Sequence, residues 1–64
     1  MKWLDIKNIV ESLEEKFPYD DVVNIRFTDL KKKVLYLEGF NDDEKRCNEK
    51  ILEAIQMAWI EERS

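Results

Sequence analysis

The side chains best equipped for chemistry in this chain are its fifteen aspartates and glutamates, and there is no histidine. Without histidine the commonest general base and the commonest metal ligand are both missing. The one glycine, Gly39, rules out a glycine-rich phosphate loop. The one cysteine, Cys47, excludes an internal disulfide and a cysteine-rich zinc site, and no imidazole exists to activate it. A helix N-terminus lowers a thiol pKa. Cys47, however, falls on the apolar edge of the last predicted helix and reads as a packing residue. The inventory points away from an enzyme.

What remains is carboxylate chemistry. Asp20, Asp21 and Asp29 form one group in sequence, and Glu38, Asp42, Asp43 and Glu44 form another. Clustered carboxylates bind hard or borderline cations through oxygen, weakly unless several converge. They also attract basic protein surfaces. Four of them stand at expected helix starts, where capping and the helix dipole alone explain them. Spacing alone favours capping over a cation-binding or partner surface, and no EF-hand spacing occurs. The bases form smaller groups: Lys31, Lys32 and Lys33, then Lys45, Arg46 and Lys50. A helix-turn-helix protein places such a helix in the major groove. A formal charge of −4 opposes DNA binding, so a nucleic-acid-binding protein is the alternative reading. Arg26 stands beside Phe27 in a connector, where it either pairs with Asp29 or anchors a partner.

Three helices must position these groups. Ile6, Ile9, Val10, Leu13 and Phe17 make one helical face, with Asp5 as cap and Pro18 as stop. Trp3 projects back onto that face. "YDDVVN" (19–24) predicts a single short helical turn capped by Asp20 and burying Val22 or Val23. "FTDLKKKVLYLEG" (27–39) predicts a second helix. Thr28 caps it, Asp29 suits its dipole, and Leu30, Val34 and Leu37 form its stripe. Gly39 is the left-handed C′ residue that ends it. Asp42 or Asp43, reinforced by Glu44, caps a last helix running to about Glu62. Ile51, Leu52, Ile55, Ala58 and Trp59 share one arc of that helix. Met57 and Ile60 lie outside the arc, as a second packing face or a partner surface beside Glu49 and Glu53.

The expected fold is all-α, one domain over 1–64: a small three-helix bundle with one extra short helical turn. It is similar to a modified winged helix or helix-turn-helix without a proper wing. No apolar run approaches the roughly 20 residues of a membrane span. "MKWLDIKN" alternates apolar and charged residues and is no signal peptide. A lone thiol suits a reducing compartment. The chain is expected to be cytoplasmic and monomeric.

"RFTDL" (26–30), "LEGFNDD" (37–43) and "NEKILEAIQMAWIEE" (48–62) resemble the IscX (YfhJ) family of small acidic bacterial proteins of iron–sulfur cluster assembly. The Trp near the N-terminus and "FPYDD" (17–21) fit as well, so the resemblance spans the whole chain. It implies an adaptor that binds the cysteine desulfurase IscS and regulates it. It also implies weak, exchangeable iron binding through carboxylates, with the cluster scaffold and ferredoxin as indirect partners. The matching positions are Arg26, Asp29, Asp42, Asp43, Asn48, Glu49, Lys50 and Trp59. Of these, Arg26, Asp29, Asp42, Asp43, Glu49 and Lys50 are the expected partner contacts, and Trp59 and Asn48 read as structural. Asp20, Asp21, Glu38, Asp42, Asp43 and Glu44 are the expected iron ligands. The chain departs from the family pattern at Glu44, where a proline is usual, and at Cys47, where serine is common. Lys31 and Lys33 stand where a histidine and a tryptophan are often found.

Overall fold

The apolar spacings become the inner faces of three helices in a computed structural model that describes residues 1–64. They are α1 (Ile6–Lys16), α2 (Phe27–Tyr36) and α3 (Glu49–Glu62). A 3₁₀ turn, Glu44–Arg46, precedes α3. No residue lies in a strand, so the fold is all-α and has no wing. The principal contact is between α1 and α3, with α2 laid against both. Ile9, Val10 and Leu13 of α1 meet Leu30 and Val34 of α2 and Leu52, Ile55 and Trp59 of α3 in one core. Trp3, Val22 and Leu37 close it from the connecting segments. Full burial of one large apolar side chain contributes about 1.5–3 kcal/mol. A core of this size supplies a net of only about 3–5 kcal/mol, so each of these residues matters.

Helix ends depart from the sequence expectations in an instructive way. Asp5 sits at the N-cap of α1, but its side chain does not cap the helix; its Oδ2 accepts from the Lys2 backbone N–H at 2.8 Å. Helix α2 begins at Phe27, so Thr28 lies inside it, and no side chain caps it. Helix α3 begins at Glu49, and its cap is Asn48, whose Oδ1 accepts from Ile51 N–H at 2.9 Å. Asp43 caps the 3₁₀ turn instead, accepting from Lys45 N–H at 2.9 Å. Cys47 therefore precedes α3 rather than lying on its apolar edge.

The extra helical turn also moves. Residues 20–24 form bends and a turn, not a helix, while the one short helical segment lies at 44–46. At 20–24 it is Asp21, not Asp20, that organises the chain, accepting from the backbone and side-chain amides of Asn24 at 3.3 and 2.9 Å. Val22 is buried there and Val23 is exposed. Gly39 does adopt a left-handed φ of +86°, but one residue later than a C′ position. It occupies the third position of a turn closed by Phe40 N–H to Leu37 O at 3.2 Å, where a positive φ is required.

Candidate functional site

The loop carrying Asp42 and Asp43 is built by the first three residues of the chain. Trp3 is 1% exposed and lies edge-on against Phe40, with ring centroids 4.7 Å apart. Its indole N–H donates to Asp43 O at 2.8 Å, and its backbone N–H donates to Asp42 Oδ2 at 3.1 Å. The amino group of Met1 donates to Gly39 O at 2.7 Å, and Asn41 N–H donates to Met1 O at 2.8 Å. The other Asp42 oxygen accepts from Asp43 N–H at 2.7 Å. The Trp3 N–H, more than any neighbouring charge, holds the Asp42 carboxyl below the usual aspartate range, and Arg46 and Lys2 act in the same sense. Asp42 thus borders an open cleft with Lys2, Leu4, Asp5, Arg46 and Ile51.

The first acidic group does come together. Asp20, Asp21 and Asp29 line one shallow cleft, but Lys32 and Lys33 line it too. Lys33 Nζ pairs with Asp20 Oδ2 at 2.5 Å and also sits 4.3 Å from the centre of the Phe17 ring. The Asn24 amide is the main reason the Asp21 carboxyl titrates low. The second group does not converge. Glu38 faces Ser12, Glu15 and Lys16 of α1, away from the cleft that holds Asp42. No three His, Cys, Asp or Glu side chains are grouped so as to hold a metal ion. Four of the six expected iron ligands, Asp20, Asp21, Asp42 and Asp43, have oxygens already bonded within the chain.

The remaining positions stand free. Arg26, Asp29, Glu44, Glu49 and Lys50 are all exposed. The chain's two ion pairs are Lys33–Asp20 and Arg63–Glu14, so Arg26 does not pair with Asp29. Met57 is exposed and borders a hollow with Lys50, Glu53 and Ala54, whereas Ile60 packs on the core. Cys47 is half-buried against the core, and burial pushes its thiol up, with Lys31 opposing. That is the environment of an unreactive cysteine. Of the Lys31–Lys33 run, Lys33 is committed to Asp20 and Phe17 and is not free for phosphate contacts.

The sequence reading missed the opposite end of the bundle. Trp59, fully buried, donates its indole N–H to Glu14 Oε1 at 2.9 Å. Arg63 Nε donates to the same oxygen at 2.8 Å. The Arg63 guanidinium also donates to Phe17 O at 2.9 Å and to Asp20 O, while lying 5.3 Å from the Trp59 ring centre. The indole N–H foremost, then Arg63, holds the Glu14 carboxyl below its ordinary 4.5. Apart from Arg63 over the Trp59 ring, these contacts join residues 43–49 positions apart, and no local pattern announces them. Gln56 likewise reaches across to Val22 O at 3.0 Å and Val23 O at 3.3 Å.

Comparison with known proteins adds an independent finding. An uncharacterised protein of Pseudomonas aeruginosa is 48% identical over 63 residues, covering 98% of this chain and 96% of that protein. A family model described as iron-sulphur cluster assembly matches residues 1–64. With a compact all-α fold and a match over its full length, the chain belongs to the iron–sulphur cluster assembly family, the IscX (YfhJ) family.

Proposed function

We propose that this chain is a non-catalytic, cytoplasmic adaptor of iron–sulfur cluster assembly that docks on the cysteine desulfurase and regulates it. The observation that carries the reading is the family match over all 64 residues. Charge supports it: the net −4 is complementary to a basic partner surface. The contact set is Arg26, Asp29, Asp42, Asp43, Glu49 and Lys50. Asp29 and Glu49, both exposed, are its direct acidic contacts. Asp42 and Asp43 hold the loop in shape and act through it. The test is a binding titration with purified desulfurase at low and high salt. Binding should be tight at low salt and weaken as salt rises, because exposed charge contacts are screened. Asp29→Lys combined with Glu49→Lys should weaken it further without unfolding the chain. Reversing Asp42 would confuse contact with shape, since its carboxylate holds Trp3. No binding at any salt overturns the proposal.

Iron is a cargo in this reading, carried weakly. No three ligands are gathered, and oxygen donors alone exchange iron readily. Adding ferrous iron should broaden NMR signals locally, around 20–29, where Asp20, Asp21 and Asp29 share a cleft, or around 38–44. Broadening spread evenly over all acids would mark mere counterion binding and remove the iron role.

A further inference from the structure

The connection after α1 is held far more firmly than an exposed loop needs. Arg63 bonds both flanking carbonyls, Phe17 O and Asp20 O, and is itself fixed by Glu14. Lys33 secures the Asp20 carboxylate and covers the Phe17 ring. Between these anchored residues stand Pro18, whose ring sets its own φ, and Tyr19. The Tyr19 side chain is 97% exposed and is the most exposed large apolar residue in the molecule. Tyr36, the other tyrosine, has the Lys16 ammonium 4.6 Å over its ring. Tyr19 has no such cover and contributes nothing to the core. A phenol ring displayed on a fixed backbone costs little entropy to dock, since only its own two torsions remain to be ordered. The cleft beside it carries three carboxylates, Asp20, Asp21 and Asp29, against two ammonium groups, Lys32 and Lys33.

We infer that Tyr19 is a preordered anchor that enters an apolar pocket with a cationic rim on the desulfurase. This rests on the adaptor reading and adds a second contact to it. Helix α3 separates the two: its N-terminus follows the Asp42–Asp43 loop, and Arg63, just past its end, holds the Tyr19 loop. Fourteen helical residues span about 21 Å, within a molecule 29 Å long. The partner therefore meets both ends of the bundle.

The experiment is the same titration with Tyr19→Ala, Tyr19→Phe and Arg63→Gln. A solvated side chain can be cut without harm to folding, which the thermal melt of Tyr19→Ala verifies. Tyr19→Ala should weaken binding roughly 30-fold, the lower edge of an aromatic hot spot. The ratio should be the same at low and high salt, because apolar burial is not screened; acid reversals should lose their effect at high salt. Tyr19→Phe should stay within about threefold of the parent. Arg63→Gln should weaken binding by freeing the loop, and should add little in the Tyr19→Ala background. If the parent binds and Tyr19→Ala binds equally, the anchor is wrong and the adaptor reading stands. If the parent does not bind, both fall.

Discussion

The two tryptophans of this chain are buried alike and held in opposite ways. Trp3 is gripped by main chain: its indole meets a carbonyl, and Met1 and Asn41 complete a backbone-to-backbone seam beside it. Trp59 is gripped by charge: its indole meets a carboxylate that also binds a guanidinium. Peptide-to-peptide bonds are indifferent to salt and pH, and the seam's charged members are only the Met1 ammonium on Gly39 O and the Asp42 carboxylate on the Trp3 N–H. A charge network depends on both. One end of the bundle is thus set by shape and the other by solution conditions, although each closes over the same residue type.

The largest effect separates the two by position in the core. Trp59→Ala empties the α1–α3 contact and should cost about 3–5 kcal/mol. That is comparable to the whole stability of a chain this size, so far-UV circular dichroism at 25 °C should show it largely unfolded. Trp3→Phe keeps a ring near Phe40 but leaves Asp43 O without its donor. About 1–2 kcal/mol should be lost in a urea midpoint measurement, with faster hydrogen exchange at Asn41. If Trp3→Phe proves as damaging as Trp59→Ala, the asymmetry between the ends is broken. Gly39→Ala tests the seam through its backbone alone. A methyl there meets nothing within 4 Å, so only the strain of φ +86° remains, about 1 kcal/mol.

The smallest effect is the sharpest discriminator. Glu14 titrates below its ordinary value when folded. The unfolded chain therefore takes up a proton first as pH falls, and stability declines from about pH 4.5 downward through the folded pKa. Glu14→Gln should be less stable at pH 7 and should lose this share of the acid decline, as read from thermal melts between pH 7 and 2. Raising salt should narrow the gap between parent and variant. Trp3→Phe should show no such narrowing.

Which parts of this were legible in the letters follows from the range of the forces. The helical faces were readable because periodicity is local: Ile9, Val10 and Leu13, or Leu52, Ile55 and Trp59, can bury together only as helices. The caps were misread because Asp5, Thr28 and Asp42 are each able to cap, and distant donors decide. Asp42 was claimed by the Trp3 N–H from 39 positions away. In the same way Asp20, a fair cap on local grounds, was taken by Lys33. The candidate site suffered most. Acids that read as helix caps or as cation and partner contacts are in four cases the bolts of loops, and Arg63, which organises a whole end, carries no local signature.

The seam between Met1–Trp3 and Gly39–Asp43 also bears on where the chain can change length. Gly39, Phe40, Asn41, Asp42 and Asp43 each meet a partner in the first three residues. An inserted or deleted residue anywhere in those five would shift every later group out of register with its mate. That stretch behaves as a ruler whose divisions are peptide units, and a library of single-residue insertions should find it the least forgiving loop in the molecule.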